Sequence, residues 1–172
     1  TSPTSISSST TCATTTGTLT GATYTATGAG ANFPGCGAAN LDVWYSFVAQ
    51  STNPIITVTK TGGSGRRRFQ LFTGTWGSFT SSACSGNTNT MNATGLTIGQ
   101  TYLIRVYSND TNPYDFTICV TDPAPPPSAP ANDLCTNAIS LNSNTTCTNT
   151  SGTLNASTTF TATTNACGTN ND

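Results

Sequence analysis

Residues able to carry out acid–base catalysis are few in this chain. Its 172 residues include six Asp, no Glu and no His. A hydrolytic pair needs two carboxylates within roughly 5 to 10 Å, and Asp110 and Asp115 could meet across the segment SNDTNPYD. Asp side chains also shape turns by bonding nearby backbone groups, which is the interpretation that we favour for both. The sequence therefore predicts no catalytic residue and no enzymatic activity.

Metal-binding patterns are also missing from the sequence. A calcium loop supplies several oxygen ligands from closely spaced positions, and no D-x-D-x-D-G-like loop is present. Asp42 precedes an apolar segment, where we expect it to cap a turn rather than bind a metal. The seven Cys include no C-x-x-C pair, so they do not form a zinc-site pattern. We expect no cofactor.

Two groups of side chains could contact a ligand. Arg66, Arg67 and Arg68 are three of the five basic residues and could bind sulfate or an anionic polysaccharide. If a strand begins there, alternate Arg side chains point to opposite faces, so the three cannot all reach one ligand. Aromatic side chains could instead stack on sugar rings, although we expect them to pack in the core and at its rim. The aromatic candidates are Trp44, Tyr45, Trp76 and Tyr107.

The charge composition excludes several partners. Only 6% of the residues are charged and the net charge is −1, which argues against nucleic acid, whose binding requires clustered Lys and Arg. No run of 18 apolar residues is present, so we expect no membrane insertion. Seven Cys without His indicate disulfide bonds and an extracellular or cell-surface location.

Alternation of apolar and polar residues indicates an all-β fold. The clearest segment is VWYSFVAQ, with both faces apolar enough for a central strand. Short strands separated by turn signals, with no helical period, predict an antiparallel β-sandwich, either jelly-roll-like or immunoglobulin/fibronectin-like. The predicted strands are Thr16–Thr25, Val43–Gln50, Ile55–Lys60, Phe69–Thr73, a strand beginning near Tyr102, and Phe116–Thr121.

Two connections are also predicted from local sequence. The strands Ile55–Lys60 and Phe69–Thr73, separated by a Gly-rich segment, are expected to form a hairpin. The segment GLTIGQTYLIRVYS has the form of a tyrosine corner, in which Tyr102 would hydrogen-bond to backbone a few residues upstream.

The second half of the chain begins a repeat of the first. When Cys147 is aligned with Cys12, the same offset places Gly152-Thr153-Leu154 over Gly17-Thr18-Leu19. A fixed long period is typical of tandem domains. We therefore predict three parts: a complete β-sandwich repeat over residues 1–122, a Pro-rich linker over 123–130, and the N-terminal part of a second repeat over 131–172. The linker should be a stiff polyproline II spacer of about 25 Å.

The repeat also suggests a disulfide scheme. Cys12 and Cys36 are matched by Cys147 and Cys167 once about four residues are deleted from the second copy, which predicts the bridges Cys12–Cys36 and Cys147–Cys167. Cys84 and Cys119 remain to pair with each other. Cys135 is left free, because its counterpart would stand one residue before Thr1.

Several motifs together resemble a known family: NDLCTNAISL, DVWYSFVA, LFTGTWGSF followed by AC, GLTIGQTYLIRVY and FTICV. They are similar to the Cys-containing β-sandwich repeats of secreted and cell-surface proteins of Bacteroidota-type bacteria, which are related to pre-peptidase C-terminal domains and more loosely to fibronectin type III. The resemblance implies a non-catalytic stalk, adhesin or accessory domain. The chain departs from the family at Trp76, where members often carry Cys.

The sequence thus favours a structural repeat of an extracellular fibre, stalk or adhesin that contacts neighbouring copies of itself. We expect the opening strands of the second repeat to expose apolar side chains until further strands cover them, in the same chain or in trans. A carbohydrate-binding accessory module of a secreted hydrolase is the alternative. The Thr/Ser-rich surface and several Asn-x-Ser/Thr sequons could carry glycans. These sequons lie at Asn92, Asn109, Asn144, Asn149 and Asn155.

Overall fold

Alternating apolar residues and β-branched Thr form the strands of the first part of the chain. The computed structural model describes residues 2–25, 36–75, 78–124 and 127–158, and the chain divides into two units, Thr1–Ala124 and Pro125–Asp172. The described part of the first unit contains ten strands. They are β1 (Thr4–Ser5), β2 (Ser8–Ser9), β3 (Thr15–Thr18), β4 (Leu41–Val48), β5 (Ile55–Gly63), β6 (Arg67–Thr75), β7 (Ser78–Cys84), β8 (Thr90–Asn92), β9 (Thr101–Ser108) and β10 (Tyr114–Thr121).

These strands form two sheets, which confirms the predicted all-β sandwich. One sheet has the order β1-β4-β9-β6-β7, and the other has the order β2-β10-β5-β8, with β3 also beside β10. The pairs β1–β4 and β2–β10 are parallel and the others are antiparallel. The sheets are therefore mainly antiparallel, as predicted, and among the described strands only the two shortest run parallel to their neighbours.

The core lies between the two sheets and is built by alternate residues of the longest strands. Tyr45 and Phe47 of β4 pack there with Ile104 of β9, and Phe116 and Ile118 of β10 face them from the other sheet. Strand β4 is an inner strand, as predicted, and its opposite face is also buried. Trp44 lies on that face in a second cluster with Phe72, Phe79 and Leu103.

The predicted tyrosine corner is confirmed. Tyr102 stands at the start of β9, and its hydroxyl oxygen accepts a hydrogen bond of 2.9 Å from the backbone N–H of Thr97. The Tyr102 ring is buried and stacks on Phe47 at a centroid distance of 5.9 Å. The contact fixes the turn that leads into β9.

The predicted hairpin of β5 and β6 is wrong, because the two strands belong to different sheets. The Gly-rich segment between them carries the chain from one sheet to the other past the 112–114 loop. Gly63 has φ +79°, and a Cβ there would lie 2.6 Å from the carbonyl oxygen of Pro113. Glycine is required at this crossing for close backbone approach, and not for a two-stranded turn.

Two of the predicted disulfides are also wrong. The bridges in the first unit are Cys12–Cys119 and Cys36–Cys84. Cys12 lies where the chain turns back between β2 and β3, which pair with the same strand, β10. Cys12 and Cys36 therefore do not bond to each other, and each bonds to a cysteine in a later strand of the first unit.

The second unit is described for residues 127–158. This part contains a short 3-10 helix, Cys135–Asn137, and no β-strand, so the opening strands expected there are not formed. Cys147 has no disulfide partner among the described residues, and Cys167, like Trp76, lies outside them. The bridge between Cys147 and Cys167 thus stays a prediction. Across the described ranges, no helix has the length and apolarity needed to cross a membrane.

Candidate functional site

A buried ion pair holds the outer face of the first sheet together. Arg105 of β9 is 1% exposed, and its Nε donates to Oδ2 of Asp42 in β4 at 2.9 Å. The Asp42 carboxylate also accepts hydrogen bonds from the backbone N–H and the hydroxyl of Thr25. The rings of Tyr24, Trp44 and Tyr107 each lie 5.3 to 5.6 Å from the guanidinium carbon.

Asp42 is therefore not the turn cap that the sequence suggested. Its carboxylate is saturated by donors, so the group has a structural role in joining the 20–25 segment to the sheet. The sequence contained a signal for this pair that was missed. Arg105 is a charged residue inside the apolar run YLIRVY, and a buried charge requires a partner.

Asp110 and Asp115 lie in different kinds of local structure. Asp110 forms a turn, as predicted, because its Oδ1 accepts from the backbone N–H of Asn112 at 3.0 Å. The hydrogen bond from the Ser108 hydroxyl is the main reason that the pKa of Asp110 lies below its usual value. Asp115 lies in β10 opposite Gly62 and is exposed, so the turn interpretation was wrong for this residue.

The aromatic candidates are buried wherever the structure describes them. Trp44, Tyr45 and Tyr107 are each less than 9% exposed, and Tyr107 donates a hydrogen bond to the Cys36 carbonyl. Trp76 lies outside the described residues. Core and rim packing, the interpretation favoured from sequence, accounts for the three described rings, and they offer no open face for a sugar.

The three consecutive Arg residues are split as the strand geometry predicts. Arg66 precedes β6, and Arg67 and Arg68 are its first two residues. Arg68 pairs with Tyr107 of β9, on the outer face, whereas Arg67 pairs with Ser108. Arg67 therefore lies on the side that faces the other sheet.

The N-terminal segment contributes strands to both sheets of the first unit. Residues 4–5 pair with β4 in the first sheet, and residues 8–9 and 15–18 pair with β10 in the second. Ile6 and Leu19 enter the core, with 9% and 0% of their surfaces exposed. Gly17 packs so tightly that a Cβ would lie 2.3 Å from the Tyr45 hydroxyl.

The turn that ends this segment occurs again in the second unit. In the first unit the backbone N–H of Ala22 donates to the Leu19 carbonyl at 3.0 Å, and Gly21 has φ +77°. At the equivalent positions of the second copy, Ser157 donates to Leu154 at 3.1 Å, and Ala156 has φ +63°.

A side-chain hydrogen bond inside this turn is repeated as well. The Thr18 hydroxyl accepts from the N–H of Thr20 at 3.0 Å, and the Thr153 hydroxyl accepts from the N–H of Asn155 at 3.1 Å. The segments around Leu19 and Leu154 therefore share this turn and its side-chain hydrogen bond.

Burial differs sharply between the two copies. Leu141 and Leu154, which correspond to Ile6 and Leu19, are 73% and 69% exposed. Gly152, the counterpart of Gly17, has nothing within 4 Å of the position where its Cβ would stand. The second segment thus has the residues of a sandwich-opening segment without the strands that bury them in the first unit.

Comparisons with known proteins show a likeness to solved structures. No family model matches the chain, and no curated protein matches it. A solved structure, the pre-peptidase C-terminal domain of collagenase from Bacillus anthracis, is similar with a TM-score of 0.44 and 18% identity. The match covers 70% of this chain and 95% of that domain.

Proposed function

We propose that this chain is a structural part of an extracellular array of disulfide-bonded β-sandwich units, such as a surface fibre, stalk or adhesin. Residues 1–122 form one unit, and residues 131–172 open the next unit of the same kind. Successive units follow one another head to tail, and the role of the protein is to build and space the array rather than to catalyse a reaction.

The contrast between Leu19 and Leu154 carries this proposal. Both follow a Gly-Thr pair and both begin a turn with the same hydrogen bond, yet one is fully buried and the other is largely exposed. Full burial of a Leu side chain contributes about 1.5 to 3 kcal/mol. Covering the exposed apolar side chains of the second unit would therefore stabilise it, and strands equivalent to β4 and β10 would cover them.

The cysteines support the same arrangement. Cys12 bonds to Cys119 in β10 of its own unit. By the same pairing, Cys147 would bond to the strand equivalent to β10 in the second unit, in place of the Cys147–Cys167 bridge predicted from sequence. Cys147 is exposed and unpaired among the described residues, as expected if its disulfide partner lies in that strand. Disulfides of this kind persist in oxidising, extracellular surroundings.

Docking of the second segment on another copy of the first unit is less favourable. The edges of β4 and β10 that would receive it are already paired with residues 4–5, 8–9 and 15–18. An incoming segment would have to displace these residues and break the bridge to Cys119. The arrangement thus favours successive units in which each has its own opening segment. Such head-to-tail contacts do not close on themselves and extend as a filament.

Negative-stain electron microscopy of the native protein tests this function. We expect elongated particles with beads of sandwich size joined by narrow linkers, one bead for each copy of the repeat. Sedimentation of the 172-residue chain provides a second test. A compact monomer whose residues 131–158 resist hydrogen exchange would contradict the proposal, because a protected segment needs no further strands.

A further inference from the structure

Two basic residues continue the core-facing rows of the two sheets at one end of the sandwich. In β5, Ile56 and Val58 are fully buried, and Lys60 follows them on the same side of the strand. In β6, Arg67 precedes the buried Phe69 on the side that faces the other sheet. The gap between the sheets therefore ends in a Lys from one sheet and an Arg from the other.

These side chains line a shallow depression. Its walls are Lys60, Gly65, Arg66, Arg67 and Asn87. The Lys60 Nζ donates to the Gly65 carbonyl at 3.0 Å, and the Arg67 Nη2 donates to the Asn87 carbonyl at 2.8 Å. Both cations are held by backbone oxygens, which fixes their position and leaves their charges unneutralised.

No carboxylate lines the depression. Lys60 and Arg67 form no salt bridge among the described residues. Arg66 lies near the Asp110 carboxylate, which accepts from its backbone N–H and partly offsets its charge. Lys60 and Arg67 are therefore the cations that the site depends on. The Nε atoms of Arg67 and Arg68 are both buried without an acceptor among the residues described, so this property does not distinguish the two faces of β6.

We infer that this depression binds an anionic group, and that its ligand is the sulfate of a sulfated polysaccharide. A guanidinium and an ammonium held at fixed positions provide several charge-assisted donors for the oxygens of a tetrahedral or planar anion. The depression is open at the end of the sandwich, so a sulfate can enter while it remains attached to a long polymer. In the array proposed above, copies of the site would strengthen binding by avidity.

The depression contains Lys60 in place of one of the three consecutive Arg residues for which the sequence suggested sulfate binding. Arg67 and Arg68 lie on opposite faces of β6. Arg67 lines the depression, whereas Arg68 lies beside Tyr107 and does not. The chain therefore contains a matched control, one residue away and of identical charge.

Titration calorimetry of the full 172-residue chain with dextran sulfate and with uncharged dextran provides the test. We expect binding of dextran sulfate alone, and competition by inorganic sulfate. The double variant Lys60→Gln/Arg67→Gln should weaken binding at least about tenfold, roughly the effect of losing hydrogen bonds to charged groups. Arg68→Gln should change it by less than about twofold.

Equal losses in Arg68→Gln and Arg67→Gln would overturn the site, because net charge alone would then explain the binding. Binding of dextran sulfate that is unchanged in the double variant, or absent from the parent chain, would overturn it as well. If the double variant does not fold, the changes that sulfate causes in the amide chemical shifts of the parent chain provide the test. Sulfate should shift the amides of Gly65 and Asn87 and leave that of Arg105 in place, and the reverse pattern would contradict the inference.

Discussion

Leu19 and Leu154 begin the same hydrogen-bonded turn at equivalent positions of the two copies, but Leu19 is fully buried and Leu154 is 69% exposed. The local structure around the two residues is the same, so local sequence does not set the difference in burial. It arises because Leu19 packs between strands of the first unit, and the described part of the second unit contains no strand. Matched substitutions can separate the two environments.

The glycines before these leucines provide one such comparison. Gly17→Ala should destabilise the first unit by about 1 to 3 kcal/mol, because the new Cβ would lie within 2.6 Å of the Tyr45 hydroxyl and the Phe116 ring. Gly152→Ala should leave the unfolding of the first unit unchanged. Urea unfolding followed by Trp fluorescence measures both. Similar effects of the two substitutions would contradict the difference in packing.

The disulfides should contribute unequally. Cys12–Cys119 closes a loop with a sequence separation of 107, and Cys36–Cys84 closes one of 48. In the loop-entropy model these separations correspond to about 5 and about 4 kcal/mol. Removing the first bridge with Cys12→Ala/Cys119→Ala should therefore lower the melting temperature more than removing the second. Non-reduced peptide mapping checks the pairing itself, and a Cys12–Cys36 peptide would refute it.

The predicted elements and the missed contacts differ in how far they depend on distant residues. Strand β4 and the Tyr102 corner were predictable because alternation and a contact between near neighbours are local in sequence. The assignment of β5 and β6 to different sheets was not predictable, since a Gly-rich segment suits a hairpin or a crossing equally. The Cys12–Cys119 and Asp42–Arg105 pairs join residues far apart in the chain, and only the folded topology brings them together.

Removing one partner of the Asp42–Arg105 ion pair should destabilise the first unit much more than replacing both residues with apolar ones. Asp42→Ala should destabilise the first unit by about 3 to 5 kcal/mol, because it leaves a buried guanidinium without its carboxylate. The double variant Asp42→Leu/Arg105→Met should recover most of that loss, since two apolar side chains need no partner. Thermal unfolding of the single and double variants decides. A double variant as unstable as the single one would show that the charges themselves are required.

Buried tyrosines should make the first unit sensitive to alkaline pH. Burial raises the pKa of Tyr45, Tyr107 and Tyr114 above the ordinary value. A group whose pKa is raised by folding contributes stability that is complete below its unfolded pKa and is lost as pH rises through the folded pKa. Stability should therefore fall as pH rises beyond about 10. Ultraviolet absorbance of the phenolate should show these phenols ionising together with unfolding, and ionisation at the ordinary pKa in the folded protein would contradict this.

A transplant of residues 139–154 into the first unit tests whether they are the opening segment of a second sandwich. Residues 4–19 of the first unit are replaced by a copy of residues 139–154, and a second chimera receives the same residues in scrambled order with the cysteine kept in place. The account predicts that the first chimera folds cooperatively within about 2 kcal/mol of the parent. Non-reduced peptide mapping should find its transplanted cysteine bonded to Cys119. An unfolded chimera with Cys119 free, matching the scrambled control, would contradict the account.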